Sequence, residues 1–281
     1  MSSSTLHTPT DSTPADLGSI DVSVRSSSSR GHAHLGWLNS YHTFSFANYY
    51  DPRYQQFHAL RVINEDRVKP GRGFGEHPHS NFEIFSYVVR GALRHTDSMG
   101  NRESLGRGSV QFTSAGSGIE HAEYNDSDKE MVHFLQIWVK PNKSGLKPRY
   151  STKQFSDQDK LNQLRLIVSE KGDKDSIVIN QDMNVYASIL EPGKRIDYDL
   201  RPGREVYFHL IQDAKSFDAE SNQTGVTITS QSGTVNFKGG DGAFIKHPTK
   251  DGKSSQTFTI TGAGTSGAKA EFILFDIKKE H

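Results

Sequence analysis

Two pairs of metal-ligand side chains set the terms for this chain: His77-Pro78-His79 and His121-Ala122-Glu123, at either end of the stretch from Gly71 to Glu123. Both pairs are spaced i, i+2. That spacing places two side chains on one face of a β-strand and on different faces of a helix. Two neighbouring strands of a small barrel, each turning such a pair inward, would surround one cation with three imidazoles and one carboxylate. The HxH element is weak evidence alone, because with thirteen histidines in 281 residues one such triplet arises by chance about 0.6 times. A second, His32-Ala33-His34, is present. The setting distinguishes the pair at 77 and 79. A Gly-rich turn precedes it, the strand-like run 82–89 follows, and Gly91, Gly100, Gly106 and Gly108 punctuate the way to the HxE strand.

The rest of the chain has the same rhythm. Strand-like runs lie at 58–63, 92–97, 109–113 and 131–140 before Pro141. After a Pro/Asn/Lys/Gly linker at 141–149 they resume at 164–168, 185–190, 195–200, 206–211, 226–229, 242–245, 258–261 and 272–277. The run 82–89 is apolar at both parities, as in a strand covered on both faces. Gly91 before 92–97 reads as a hairpin, and 152–163 as one short helix. Only 33% of residues are hydrophobic and 25 are glycine, which favours short strands and many turns. Glu191-Pro192-Gly193 echoes Lys69-Pro70-Gly71. The offsets that lead from Gly71 to His77 and His79 lead from Gly193 to Asp199 and Arg201, and no HxE follows Gly242. The expected fold is therefore all-β: two antiparallel barrels with little helix, and metal ligands in the first alone. The expected divisions are a Ser/Thr-rich tail over 1–20, a metal-binding domain over 21–143 and a second barrel over 144–281.

Formal charge is zero and the sequence pI is about 7.3, so no global field draws the protein to nucleic acid or an anionic membrane. Cysteine is absent, which removes disulfides and thiolate metal sites. Residues 1–20 lack the apolar core of a signal peptide, and no run reaches the length of a spanning helix. A soluble, cytoplasmic protein is expected, and nothing demands more than a monomer. Phe44, Phe46 and Phe74 are candidate pocket residues beside the metal. His32, His34 and His42 are assigned surface or hydrogen-bonded roles, and His133 the place of a satisfied core histidine. Oxygen acceptors that could orient the ligand imidazoles are Glu83, Asp97, Glu120 and Gln111.

The order G-x5-H-x-H-x3-E, G-x7-G, H-x-E resembles the cupin superfamily. HPH at 77–79, SAGSGIEHAEYN at 114–125 and HLGWLNSYHTFSFANYYDP at 34–52 resemble the pirins, bacterial pirin-like quercetin 2,3-dioxygenases in particular. The resemblance extends through QDMNVYASIL at 181–190 to FILFDI at 272–277, leaving out the first twenty residues and an insertion near 215–235. It implies a bicupin fold. Cupins usually take the carboxylate from the first motif, here Glu83, whereas pirins take it from the HxE. On the pirin pattern the metal ligands are His77, His79, His121 and Glu123, and Glu83 lies outside the coordination sphere. Three imidazoles and a carboxylate with open positions suit Fe(II) first, and Mn, Co, Ni, Cu or Zn are compatible. The resemblance implies a dioxygenase that opens a flavonol such as quercetin with O2 and releases carbon monoxide, Glu123 accepting the substrate hydroxyl proton. The alternative it implies is a non-enzymatic, iron-dependent redox sensor and transcriptional co-regulator with a protein partner. A Zn- or Mn-dependent sugar isomerase is a third reading, for which no Lys or His base stands out.

Overall fold

The computed structural model describes residues 20–221, 223–247 and 255–280; apart from Ile20, the expected tail lies outside them. In chain order the strands are β1 (Asp21–Arg25), β2 (Gly31–His34), β3 (Leu38–His42), β4 (Leu60–Val68), β5 (Gly73–His79), β6 (Glu83–Arg90), β7 (Leu93–Asp97), β8 (Arg102–Leu105), β9 (Ser109–Ser114), β10 (Ile119–Asn125), β11 (Val132–Val139) and β12 (Arg149–Gln154). After the helical turn α1 (Asp157–Lys160) come β13 (Arg165–Ser169), β14 (Ile177–Val178), β15 (Met183–Leu190), β16 (Arg195–Leu200), β17 (Arg204–Leu210), β18 (Asp213–Ala214) and β19 (Glu220–Ser221). The last five are β20 (Gly225–Ser230), β21 (Gly233–Lys238), β22 (Gly242–Lys246), β23 (Gln256–Gly262) and β24 (Ala270–Lys278). The protein is all-β with almost no helix.

Each barrel is a large sheet closed by a small one. In the first, β12-β9-β6-β11-β4-β3-β2 faces β5-β10-β7-β8; in the second, β1-β22-β17-β24-β15-β13-β14 faces β16-β23-β20-β21. The two large sheets pack back to back. Phe85, Tyr87, Leu135 and Ile137 from one meet Ile167, Val185, Tyr207 and Phe275 from the other in one buried cluster. This explains the two-parity hydrophobicity of 82–89. Phe85 and Tyr87 face the partner sheet, while Val88 points into the first barrel. Sheet membership does not follow a cut at 143/144: β1 joins the second barrel's sheet and β12 pairs with β9 of the first.

Two local expectations need correction. Gly91 does not close a hairpin, because β6 and β7 lie in different sheets. It turns the chain from one layer to the other at φ +78°, where an added Cβ would sit 2.5 Å from the Met131 carbonyl oxygen. The helix expected over 152–163 is one turn, Asp157–Lys160, started by a Ser156/Asp159 capping box. The residues before it are drawn into the ladder with β9, where tertiary pairing overrides a weak helical pattern.

A buried polar cluster ties the back-to-back sheets together. Glu65, fully buried, accepts from Arg30 Nη1 at 3.0 Å, His133 Nε2 at 3.0 Å, the Gln212 backbone N–H at 2.7 Å and His209 Nε2 at 3.3 Å. Burial alone would push this carboxyl up. The hydrogen bonds from His133 and His209 and the Arg30 charge outweigh it and hold the group well below the usual carboxylate range.

Candidate metal centre and cavity

β5 and β10 are neighbours in the small sheet of the first barrel. Their register sets His121 opposite His77 and Ile119 opposite His79. A bulge follows, so Glu123 lies opposite Phe74, a device that re-aims side chains at barrel rims. The close approach is possible because position 73 is glycine: a Cβ there would fall 2.2 Å from the Glu123 carbonyl oxygen.

The imidazoles of His77, His79 and His121 converge, with one ring nitrogen from each within 4.8 Å of the others. His77 Nδ1 donates to the Gly75 carbonyl at 2.6 Å. That bond leaves the Nε2 lone pair facing inward, and this atom is 3.1 Å from His121 Nε2. The Nε2 of His79 is buried with no hydrogen-bond partner. Burial, then the neighbouring imidazoles, pushes the His79 pKa down to about 4 and that of His121 to about 3. At neutral pH both rings are uncharged and offer lone pairs. An orphaned buried nitrogen beside two more imidazoles is what a cation would satisfy, so the donor set fits a divalent metal.

Glu123 is fully buried, and its carboxylate is not among the three converging groups. Ser86 Oγ donates to its Oε1 at 2.9 Å and Gln136 Nε2 to its Oε2 at 2.7 Å. Each oxygen keeps one lone-pair site for a cation or a proton. Behind His121, the fully buried His95 donates from Nε2 to Asp97 Oδ2 at 2.9 Å and stacks on Tyr150.

The four acceptors expected to orient the imidazoles lie elsewhere. Glu83 is buried but accepts from Ser114 Oγ and from the backbone and side chain of Asn180, between the barrels. Asp97 serves His95 and Asn101, Glu120 is exposed, and Gln111 donates to Thr113. The residues that hold Glu123, Ser86 and Gln136, were missed. They lie in a polar row along one line of cross-strand pairs: Ser86 opposite Gln136, Gln136 opposite Asn64, Asn64 opposite His42. Only the sheet register could have found it. His95 carried a local signal, the H-x-D alternation of β7.

A cavity of about 760 Å³ opens beside the imidazoles, with His77 and His79 in its wall. Trp37, Phe46, Phe74 and Trp138 provide aromatic sides, Phe46 packing edge-on against Trp138 and Phe74 against Trp37. Phe44 lies outside this lining, among Tyr207 and Phe244 of the second barrel. Of the early histidines, His42 hydrogen-bonds Asn64 in the cavity wall, His32 bonds Asn39, and His34 meets Asp218 at the surface. His133 is buried on Glu65. At the second barrel's equivalent positions, Asp199 accepts from Thr257 and Arg201 pairs with Asp276.

The family model described as Pirin matches residues 23–139, and that described as Quercetinase C-terminal cupin domain matches 166–277. A protein of Escherichia coli strain K12 named quercetin 2,3-dioxygenase is 42% identical over 191 residues, spanning 68% of this chain and 81% of that protein. The pirin-like protein of Caulobacter vibrioides is 41% identical over 178 residues, 63% of this chain and 76% of that one. Among solved structures, YhhW from Escherichia coli superposes with a TM-score of 0.79 at 36% identity, covering 93% of this chain and 99% of its own. Bacterial pirin YhhW in complex with nickel(II) gives 0.79 at 35%, covering 92% and 100%. With a fold and a sequence that agree along most of its length, the chain belongs to the pirin family.

Proposed function

We propose that this chain is a metal-dependent dioxygenase of flavonols such as quercetin, acting in the cytoplasm with Fe(II) held by His77, His79, His121 and Glu123. The observation that carries the reading is the cavity: an aromatic-walled space of about 760 Å³ whose wall includes two of the three converging imidazoles. That volume lies in the range of small-molecule sites. A redox sensor that signals through its surface has no use for such a space.

When bound, a divalent redox-active metal supplies a Lewis acid that makes a coordinated hydroxyl more acidic and opens a path for electrons to O2. The remaining work falls to the chain. His79 and His121 remain neutral donors, because burial and the neighbouring imidazoles oppose their protonation, and the bond from His77 Nδ1 to the Gly75 carbonyl leaves the His77 Nε2 lone pair free to join them. Trp37, Phe46, Phe74 and Trp138 sandwich a planar ring and exclude water. Glu123 accepts the proton of the flavonol 3-hydroxyl on a carboxylate oxygen, while Ser86 and Gln136 keep it oriented and stabilise its charge. Both atoms of O2 enter the organic product as the C2–C3 and C3–C4 bonds break, and C3 leaves with its oxygen as carbon monoxide.

The test is anaerobically iron-loaded protein mixed with quercetin and then exposed to O2. Bleaching of the flavonol band with release of carbon monoxide is expected. His79→Ala should lose most bound metal, and turnover in proportion, while the metal-free melting temperature stays within a few degrees of wild type. Absence of bleaching with Fe(II), Mn, Co, Ni or Cu would overturn the enzymatic reading. Iron-state-dependent binding to a transcription factor would then favour the co-regulator.

A further inference from the structure

The cavity has a second polar patch, built by β3 and β4 rather than by the imidazole strands. Ser40 lies opposite Asp66 and His42 opposite Asn64, two cross-strand pairs on one face, separated by the Tyr41–Glu65 pair, and all four side chains line the space. His42 Nδ1 donates to Asn64 Oδ1 at 2.8 Å, and the Ser40 hydroxyl lies 3.4 Å from the same ring nitrogen. Asp66 is only 2% exposed, yet its Oδ1 has no hydrogen-bond donor. A buried carboxyl oxygen without a donor is costly. The next inward positions along the same strand, Val62 and Val68, are apolar and buried. Burial, helped by the charges of Glu123 and Glu65 and opposed by Ser40, pushes the Asp66 carboxyl up to about 7. Acid and carboxylate are both populated at neutral pH. Either form pairs with a phenol, whose hydroxyl can donate or accept.

We propose that Asp66, opposite Ser40 and flanked by His42, is the specificity subsite of the cavity, taking a phenolic hydroxyl carried on a part of the ligand remote from the imidazoles. It thereby selects polyhydroxylated aromatic ligands over the bare ring system. The inference deepens the flavonol reading and rests on it. The ligand's planar body lies among Trp37, Phe46, Phe74 and Trp138, one hydroxyl at the imidazole corner and another on Asp66 Oδ1. Aromatic stacking supplies affinity for any flat ring, and the buried carboxyl discriminates, because a ligand lacking that hydroxyl leaves it unsatisfied.

The experiment compares quercetin with 3-hydroxyflavone, which lacks the additional hydroxyls. Both tryptophans of the chain line the cavity, so fluorescence quenching of the metal-loaded protein without O2 reports binding independently of turnover. Wild type should bind quercetin more tightly, and Asp66→Leu should shrink that preference roughly 10- to 100-fold at unchanged metal content. Under turnover the loss should appear in KM for quercetin more than in kcat. Asp66→Asn, which keeps the size and hydrogen-bonding capacity, should retain much of the preference and guards against misfolding of the leucine variant. Equal wild-type affinity for the two flavonols, or equal weakening of both by Asp66→Leu, overturns the subsite. If wild type turns over neither flavonol, the dioxygenase reading falls while the quenching titration still decides the subsite.

Discussion

The two barrels share a plan and are filled in opposite ways. Leu190, Phe208, Phe258, Phe272 and Leu274 close the interior of the second, all buried in one apolar cluster; Tyr198 there satisfies its hydroxyl by donating to Asp276 at 2.6 Å. In the first barrel the apolar plug is small: Leu38, Val68, Val88, Leu93, Leu105, Val132 and Phe134. Beyond the plug come the polar row of Ser86, Gln136, Asn64 and His42, the three imidazoles and the open cavity. Open space and buried polar groups both forfeit packing stability. The first barrel can lack that stability because its large sheet is backed by the continuous inter-sheet core. One barrel serves as core, which frees the other to serve as a vessel.

The comparison can be broken most directly by removing one ring from each barrel. Phe208→Ala in the filled barrel should destabilise by about 3–5 kcal/mol, read by equilibrium denaturation. Phe74→Ala at the cavity wall should cost under about 1 kcal/mol while weakening ligand binding. Equal losses would mean the first barrel is packed as tightly as the second. A sharper contrast removes one polar contact from each. Gln136→Leu, which deletes a donor to Glu123, should lower metal affinity or turnover roughly 10- to 100-fold with little change in melting. Tyr198→Phe should cost about 1 kcal/mol of stability and leave metal binding alone. If Gln136→Leu both binds metal and turns over normally, its bond to Glu123 is only structural.

The smallest effect is a response to acid. Burial first, then neighbouring charges, holds His42, His79 and His121 of the first barrel below the ordinary value of 6.5, to about 4 for His79 and about 3 for His121. His209, at the interface, is lowered by the same cause. A group whose folded pKa is depressed contributes stability that is complete above 6.5 and drains away as pH falls toward the folded value. Metal-free protein taken from pH 7 to pH 5 should therefore lose hydrogen-exchange protection in β5 and β10 before β16 and β23 of the second barrel, which carry no histidine. Uniform loss across both barrels would contradict this.

What could be read beforehand follows from chain locality. His77 and His79 are two residues apart on one strand, as are His121 and Glu123, so extended backbone alone aligns each pair. Strand rhythm and the double-sided hydrophobicity of 82–89 likewise need no tertiary knowledge. Phe44 and Glu83 look no different in sequence from cavity residues. Their place between the barrels depends on which sheet face meets which, as the switch of layers at Gly91 and the crossing of β1 into the second barrel also do.

The chain's residue order thus determined an all-β molecule of repeated barrels and the three histidines that meet in the first. Only tertiary structure decided that Ser86 and Gln136 hold Glu123, that Ser40 and Asp66 meet in the wall of an aromatic cavity, and that Glu65 joins the two sheets. The physical reason is register. Side chains within a strand are related by covalent geometry, whereas a row across several strands exists only once the whole sheet has chosen its pairing.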